Sequence, residues 1–260
     1  MKKWVNTAGC NLPGPAVLLF IIALWEAACR LTHIPETRLP APSAVALSLY
    51  ANASLLSAHT RATLAAVAAG LALAVLAALA LAVSMNRRPW LKQALYPLLV
   101  ISQTIPIIAL APLFLIWFGF GITPKIVVVA LVCFFPMAVN LVEGLEQVDP
   151  EALNLLKVMR AGPAMIFRSV QLPAVLPYFF SGLKISVTYS VMGAVIGEWL
   201  GARAGLGVFM LRSMHSFKTG GVFASILIIV IVSLLLFKLT ELAAWAAMPW
   251  NREKTNHPEE

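Results

Sequence analysis

Long apolar stretches dominate this sequence. Six of them are about 20 residues long, which is the length that a helix needs to cross the roughly 30 Å hydrocarbon layer of a bilayer. Only 12% of the 260 residues are charged and 60% are hydrophobic, whereas a soluble domain carries about 25% charged residues. The sequence therefore predicts an all-α, polytopic membrane protein with about six transmembrane helices.

The apolar stretches also predict a topology. The predicted spans are residues 12–30, 61–85, 95–118, 123–143, 177–200 and 221–245. They form one transmembrane domain, residues 12–250, between a short N-terminal segment, residues 1–11, and a polar tail, residues 251–260. Six crossings bring both termini to one side of the membrane, and more basic residues fall on that side. Because cytoplasmic loops carry an excess of Lys and Arg, we expect both termini in the cytoplasm.

The first apolar stretch also has features of a secretory signal, since Lys2 and Lys3 precede it. However, Glu26 and Arg30 occupy positions where small residues should mark a cleavage site. We therefore interpret this stretch as an uncleaved first span.

The third span is unusual because it contains three prolines, Pro97, Pro106 and Pro112. The polar run Ser102-Gln103-Thr104 lies between them. A proline removes one helical hydrogen bond, so we expect a kinked helix whose freed carbonyls are satisfied by protein or water. Such a helix suits the interior of a bundle, although a kink that serves packing alone is an open alternative.

The longest connection between spans, residues 144–177, has a well-marked helix of its own. Residues 149–151 (Asp-Pro-Glu) predict a helix start, because Asp caps backbone N–H groups, Pro fits the first turn and Glu complements the helix dipole. Gly162–Pro163 predicts its end. A second short helix should follow, and residues 172–173 (Leu-Pro) should turn the chain back toward the membrane. The segment can either dock on a soluble partner or lie on lipid headgroups.

Several short motifs in this order resemble one family of membrane proteins. They are Leu39-Pro-Ala-Pro42, Ile105-Pro106, Ala111-Pro-Leu113, Trp117-Phe-Gly119, Phe134-Phe-Pro136, Val170-Gln-Leu-Pro173, Gly182-Leu-Lys184, Glu198-Trp-Leu-Gly-Ala202 and Gly205-Leu-Gly207. The chain is similar, from about residue 39 to 245, to permeases of ATP-binding-cassette (ABC) importers. The resemblance is to the branch for nitrate, sulfonates, taurine and thiamine precursors.

The resemblance implies that the segment 144–177 is the coupling loop, which inserts beside nucleotide-binding subunits. Counting back from Leu172–Pro173, the Glu-Ala-Ala slot of the family falls on residues 154–156 and its glycine slot on Arg160, so the motif is non-consensus here. The coupling residues implied in this way are Asp149, Pro150, Asn154, Leu155, Leu156, Lys157, Arg160, Ala161, Leu172 and Pro173.

The resemblance also implies partners. No GxxxxGK[ST] sequence occurs in the chain, so the chain lacks the usual loop that binds nucleotide phosphates. ATP and magnesium are therefore expected on two separate ATP-binding subunits, with no cofactor on this chain. A second copy of the permease, an extracytoplasmic solute-binding protein and the bacterial inner membrane complete the expected assembly, and no nucleic acid takes part.

Polar residues in spans three and five mark a candidate translocation path. A helix surrounded by lipid would not carry so many. The candidates are Ser102, Gln103, Thr104, Lys184, Ser186, Thr188, Tyr189, Ser190 and Glu198. Lys184 can alternatively extend to the nearby interface.

Two other classes of protein fit less well. A stand-alone, ion-coupled transporter usually holds acidic residues deep in its spans, whereas Glu26, Glu143, Glu198 and Glu241 lie toward span ends. A membrane enzyme is disfavoured because the histidines are scattered without a paired carboxylate, and the cysteines have no metal-binding spacing. The solute stays open, and the sequence around residues 189–217 is most similar to permeases for the pyrimidine precursor of thiamine.

Overall fold

The structure is a computed structural model that describes residues 14–251. Every regular element in that range is a helix, which confirms the predicted all-α class. The predicted N-terminal segment 1–11 and the tail beyond residue 251 lie outside the described residues. In chain order the helices are α1 (Gly14–Leu31), α2 (Pro42–Ala51), α3 (Ala53–Arg87), α4 (Pro89–Ser102), α5 (Ile107–Phe118), α6 (Thr123–Glu146), α7 (Pro150–Val158), α8 (Pro163–Ile166), a π-helical segment (Phe167–Gln171), α9 (Leu172–Trp199), α10 (Leu206–His215), α11 (Thr219–Ala247) and a 3-10 turn (Pro249–Asn251).

Four helices in the described range are long and apolar enough to cross a membrane: α3, α6, the continuous stretch Pro163–Trp199 that contains α9, and α11. The pair α4 and α5 makes a fifth if it counts as one span. Helix α1 covers most of the predicted first span, so the count of six stays a prediction. Helix α3 has 35 residues and is about 50 Å long, so it extends beyond the predicted span at its start.

Helix α6 lies at the centre of the bundle, packed between α3 and α9. One core cluster joins Ala82 and Met85 near the end of α3 to Leu141 near the end of α6. A second joins Val67 of α3, Val129 of α6 and Ala194 of α9. Helices α3 and α6 are therefore parallel and α9 is antiparallel to both, which puts α7 at one end of the bundle and α10 at the other.

Small residues let the three central helices approach closely. Five small residues spaced four apart on α3 form a stripe that is buried along its whole length: Ala66, Gly70, Ala74, Ala78 and Ala82. A Cβ placed on Gly70 would lie 2.5 Å from the Cβ of Val129 and 2.9 Å from the carbonyl oxygen of Ile126 on α6. Gly193 and Gly197 of α9 face α6 in the same way. In a bilayer, where no hydrophobic effect drives helices together, such close contact is the main source of association.

The third predicted span is not one kinked helix. Helices α4 and α5 are separate and meet at an angle of 100°. Pro106 cannot donate a backbone hydrogen bond and it restricts Ile105 to an extended conformation, so the helix stops after Ser102 and restarts at Ile107. The break between residues 103 and 106 leaves backbone groups at the start of α5 without a helical hydrogen-bond partner.

The predicted turn at Leu172–Pro173 is also wrong. The chain stays helical from Pro163 through Trp199, and Leu172 and Pro173 are the first residues of α9. Pro173 lacks the N–H that the preceding turn would use, and the chain adjusts by widening into the π-helical segment Phe167–Gln171. Residues 163–171 are thus a helical extension of α9.

The close approach at Gly70 makes a first prediction. Gly70→Ala should lower the free energy of unfolding by about 1–3 kcal/mol, because the new methyl group overlaps α6, even though Ala favours a helix by about 1 kcal/mol. The measurement is chemical denaturation of the purified protein in detergent. Gly220→Ala is the matched control, since a Cβ there would lie 3.4 Å from its nearest neighbour. Equal stability of the two variants would contradict the packing described for α3 and α6.

Candidate functional site

Helix α7 begins as the sequence predicts. Asp149 is its N-cap, and the carboxylate accepts a hydrogen bond of 2.8 Å from the backbone N–H of Glu151. Pro150 occupies the first helical position. The predicted helix start is therefore confirmed.

The end of α7 differs from the prediction in an informative way. The helix ends at Val158 rather than at Gly162, and Arg160 has a φ of 55°. The Ala161 N–H donates to the Leu156 carbonyl over 2.9 Å, which is a typical closure for a helix followed by a left-handed residue. Left-handed backbone favours glycine. Arg160, the residue placed at the glycine slot by counting back from Leu172–Pro173, thus has the backbone conformation of a glycine, and Gly162 does not.

Apolar side chains on α7 face away from the bundle. No residue of α7 is buried, and Leu155, Val158 and Met159 are 61%, 81% and 68% exposed. Asn154 and Lys157 are exposed as well, while Leu156 is half-buried. At the base of this segment, Lys92 of α4 forms an ion pair with Glu146 at the end of α6. The result is a protrusion with an apolar outer face on a fixed base.

A cavity of about 710 Å³ opens at the break between α4 and α5. Its other walls are α6, through residues such as Phe135 and Asn140, and α9, through Ile185, Tyr189, Met192 and Ile196. These four α9 residues recur at helical spacing, so one face of α9 lines the cavity. We call this space the break cavity.

The structure brings only part of the predicted translocation path to the break cavity. Ser102, Gln103 and Tyr189 line it, and Thr104 lies in the same break. Lys184 and Thr188 are on another side of α9: the Lys184 ammonium lies 5.9 Å from the Phe237 ring of α11, and the Thr188 hydroxyl donates to the Lys184 carbonyl.

Ser186, Ser190 and Glu198 are not on the cavity because all three are buried in helix contacts. Ser186 donates to the Cys133 carbonyl of α6 over 2.9 Å, and Ser190 donates to the Val187 carbonyl of its own helix. The Ser186 hydroxyl therefore joins α9 to α6, whereas the Ser190 hydroxyl bonds within α9, and neither residue lines the break cavity.

Glu198 belongs to a buried polar network at the α10 end of the bundle. Its carboxylate accepts hydrogen bonds of 2.8 Å from the Thr63 hydroxyl and from the Gly207 N–H. The Lys125 ammonium lies 4.0 Å from the same carboxylate and donates to the Ala204 carbonyl over 2.6 Å. We call this set the Glu198 network.

The Glu198 network caps α10. Three successive N–H groups at its start, on Gly205, Leu206 and Gly207, donate to His59 Nδ1, Thr63 Oγ1 and Glu198 Oε2, respectively. The N-terminal N–H groups of a helix have no partner within the helix, so these side chains satisfy them from α3 and α9. A Cβ on Gly205 would lie 2.0 Å from the Glu198 carboxyl carbon, which leaves room only for glycine.

Sequence reasoning missed several of these residues. His59, Thr63, Lys125 and Asn140 were not among the predicted site residues. The one available signal was the Gly205-Leu-Gly207 motif, which supported the family resemblance but did not indicate these partners. No group of three or more His, Cys, Asp or Glu side chains within residues 14–251 is placed to hold a metal ion.

Comparisons with known proteins agree with this architecture. Residues 69–244 match the family described as "Binding-protein-dependent transport system inner membrane component", and this match covers more than half of the chain. The chain belongs to this family. It is therefore a permease subunit of the ABC importer class, and this family is one of multi-pass inner membrane proteins. Membership favours the importer interpretation over a stand-alone transporter or an enzyme.

Two curated relatives represent the branch indicated by the sequence motifs. A formylaminopyrimidine transport permease protein from Halalkalibacterium halodurans is 38% identical over 237 residues, which cover 91% of this chain and 94% of the relative. A taurine transport system permease protein from Escherichia coli is 29% identical, with 91% of this chain and 88% of the relative covered. The predicted branch is thus confirmed.

One solved structure shares the fold. A methionine ABC transporter in an inward facing conformation matches with a TM-score of 0.61 over 74% of this chain and 95% of the matched chain, at 20% identity. At this level of identity the match supports the fold of the helical core and nothing finer.

The conformation of Arg160 makes a second prediction. Left-handed backbone costs a residue with a side chain about 1–2 kcal/mol relative to glycine, so Arg160→Gly should tighten the end of α7 and Arg160→Ala should not. Both changes remove the same charge. We expect amide hydrogen exchange at Ala161 to be about fivefold slower in the Gly variant than in the Ala variant. Equal exchange in the two variants would contradict the left-handed conformation.

The Glu198 network makes a third prediction. Glu198→Met should lower the free energy of unfolding by about 3–5 kcal/mol, because it leaves the Lys125 charge buried without an opposite charge beside it. Adding Lys125→Met should recover part of the lost stability. A loss of about 1–3 kcal/mol should remain, because the N–H of Gly207 is still without its acceptor. The measurement is a denaturation series in detergent.

Glu241→Met is the matched control for this series. Glu241 pairs with Lys238 on the exposed surface of α11, and exposed pairs contribute at most about 1 kcal/mol. If Glu198→Met were as mild as Glu241→Met, the Glu198 network would not be a buried structural element.

Proposed function

We propose that this chain forms the translocation path of an ATP-driven importer, as one of two permease copies that act with two ATP-binding subunits and a solute-binding protein. The observation that carries the proposal is the match of residues 69–244 to the binding-protein-dependent family, together with an apolar protrusion at one end of the bundle. The protein itself performs no chemistry; ATP and magnesium act on the partner subunits.

The α7 protrusion is the proposed contact with the ATP-binding subunits. Leu155, Val158 and Met159 present a connected apolar face that water would otherwise surround, and an apolar helical face of this kind fits a groove on a partner protein. The fourth prediction below separates this proposal from the alternative, a helix that lies on lipid headgroups. With α7 in the cytoplasm, both termini are cytoplasmic too.

The short connection after α7 suggests how movement passes into the membrane. Only residues 159–162 separate α7 from the continuous helical stretch Pro163–Trp199, so a displacement of α7 by the ATP-binding subunits would be passed to α9. Helix α9 lines the break cavity and carries Glu198 at its far end. ATP binding would thus open the path to the outside, and hydrolysis would reset it, which is alternating access driven by a partner.

The solute is proposed to be a small polar molecule that the solute-binding protein delivers. The hydroxymethylpyrimidine precursor of thiamine and a sulfonate are the two candidates. The two relatives described above support both, and the higher identity to the formylaminopyrimidine permease supports the pyrimidine.

A fourth prediction tests the coupling role. Leu155→Asp combined with Met159→Asp should weaken association with the ATP-binding subunit by at least about tenfold, because the apolar face would then bring two carboxylates into the contact. The measurement is co-purification from a strain that expresses both subunits, followed by ATP hydrolysis in lipid nanodiscs.

Met214→Asp is the matched control for the coupling test. Met214 is 52% exposed on α10, at the end of the bundle away from α7. Its replacement by Asp introduces the same kind of charge on an exposed surface. Full association of the control and loss in the α7 variant would support the proposal. Undiminished association of the α7 variant would show that α7 is not part of the contact. Failure of the wild-type chain to bind any ATP-binding subunit would contradict the proposed importer function.

A further inference from the structure

Among residues 14–251, none that lines the break cavity is charged. Its polar side chains are Ser102, Gln103, Asn140 and Tyr189, and the remaining lining is apolar. The nearest basic residue on α9, Lys184, lies against Phe237 of α11. Lys125 of α6 is held in the Glu198 network. An ion that entered the cavity would therefore lose water without gaining an opposite charge, which is unfavourable.

The helix ends at the break do not supply a net charge either. The C-terminus of α4 carries about half a negative charge and the N-terminus of α5 about half a positive charge, because peptide dipoles align along each helix. Both ends meet within the four residues 103–106. Their fields oppose each other at long range, but at short range they offer hydrogen-bond acceptors and donors side by side.

Several polar groups at the break have no partner within the described residues. The N–H groups of Ile107 and Ile108 engage no backbone carbonyl, since the first bonded amide of α5 is that of Ala109. The Gln103 amide and the Tyr189 hydroxyl belong to exposed residues and make no hydrogen bond in the part of the chain that the structure describes. Asn140 uses one N–H to reach the Pro136 carbonyl over 2.8 Å, which leaves its own carbonyl oxygen available.

The apolar part of the cavity suits a flat ring. Phe135 of α6 and Tyr189 of α9 supply aromatic faces, and Ile185, Met192 and Ile196 continue the α9 wall. Aromatic side chains favour stacking against planar groups. Small-molecule sites generally combine such apolar walls with a few polar groups that fix orientation.

On the basis of the proposed transport function, we propose that the break cavity is a solute-recognition site of the permease itself. It accepts an uncharged, planar, nitrogen-containing ring with both donor and acceptor groups, and it discriminates against anions such as sulfonates. Gln103, Asn140 and Tyr189 determine this specificity. Ring stacking on Tyr189 supplies affinity. The side-chain amides of Gln103 and Asn140 and the free backbone groups of the break form hydrogen bonds with the polar edge of the ring.

The test uses the purified permease bound to its ATP-binding subunits in nanodiscs, without the solute-binding protein. The probes are radiolabelled hydroxymethylpyrimidine, which is neutral, and taurine, a zwitterion whose ionised sulfonate is the group that the cavity should reject. We expect saturable binding of the pyrimidine and no competition by taurine. Tyr189→Leu should weaken pyrimidine binding by about tenfold, since an aromatic stacking partner typically contributes that much. Tyr189→Phe keeps the ring and should lose less.

Thr188→Val is the matched control. Thr188 neighbours Tyr189 on α9 but lies outside the cavity, and its hydroxyl bonds only within its own helix. We expect unchanged binding. A Gln103→Lys variant adds a cation to the wall, and taurine should then compete measurably.

Three results would overturn the proposal: equal binding of taurine and the pyrimidine, unchanged binding in Tyr189→Leu, or no binding of either probe, as when a second copy fills the cavity. Co-purified ATP-binding subunit and its ATP hydrolysis are recorded in every sample. If these are normal while the binding pattern fails, only the recognition site is wrong. If no ATP-binding subunit associates, the transport function is wrong instead.

Discussion

The close packing of α6 between α3 and α9 is the constraint on which the rest of this structure depends. Small residues remove the side-chain layer that would hold the helices apart, and Gly70 brings α3 to within backbone contact of α6. In lipid this packing has to supply most of the association energy, because burial of apolar surface brings no gain over contact with lipid chains. The helix pairs are therefore rigid, and other features are placed by them.

Two functional regions follow from this packing at different depths. At the α10 end, the close approach of the three helices brings Thr63, Lys125 and Glu198 together and ties α10 to all of them. Elsewhere in the bundle, α6 and α9 form two walls of the break cavity, beside the break between α4 and α5. A polar network that is fully satisfied can be buried without a large penalty, whereas a cavity with unsatisfied groups is available for a ligand.

The sequence predicted the local features well where the cause is local. The N-cap of α7 depends on Asp149 and its next two residues, and the structure has it as expected. The proline-rich third span was recognised as irregular, yet its 100° bend was not predictable, because a proline kink, a re-entrant pair and a broken span share the same sequence pattern. The chain also stays helical through Leu172–Pro173 since a π-helical segment absorbs the proline, and this accommodation has no separate signal in the sequence.

By itself, the sequence determined that the chain is a helical membrane protein, where most of its apolar helices lie and which transport family it belongs to. These properties depend on hydrophobicity over about 20 residues and on short motifs in a fixed order. Only the tertiary structure decided which polar residues face a cavity. Ser186 and Tyr189 are three positions apart on one helix, but one is buried against α6 and the other lines the break cavity. The reason is rotational: the side of α9 that meets α6 is set by contacts between helices distant in the chain, and polarity alone does not specify it.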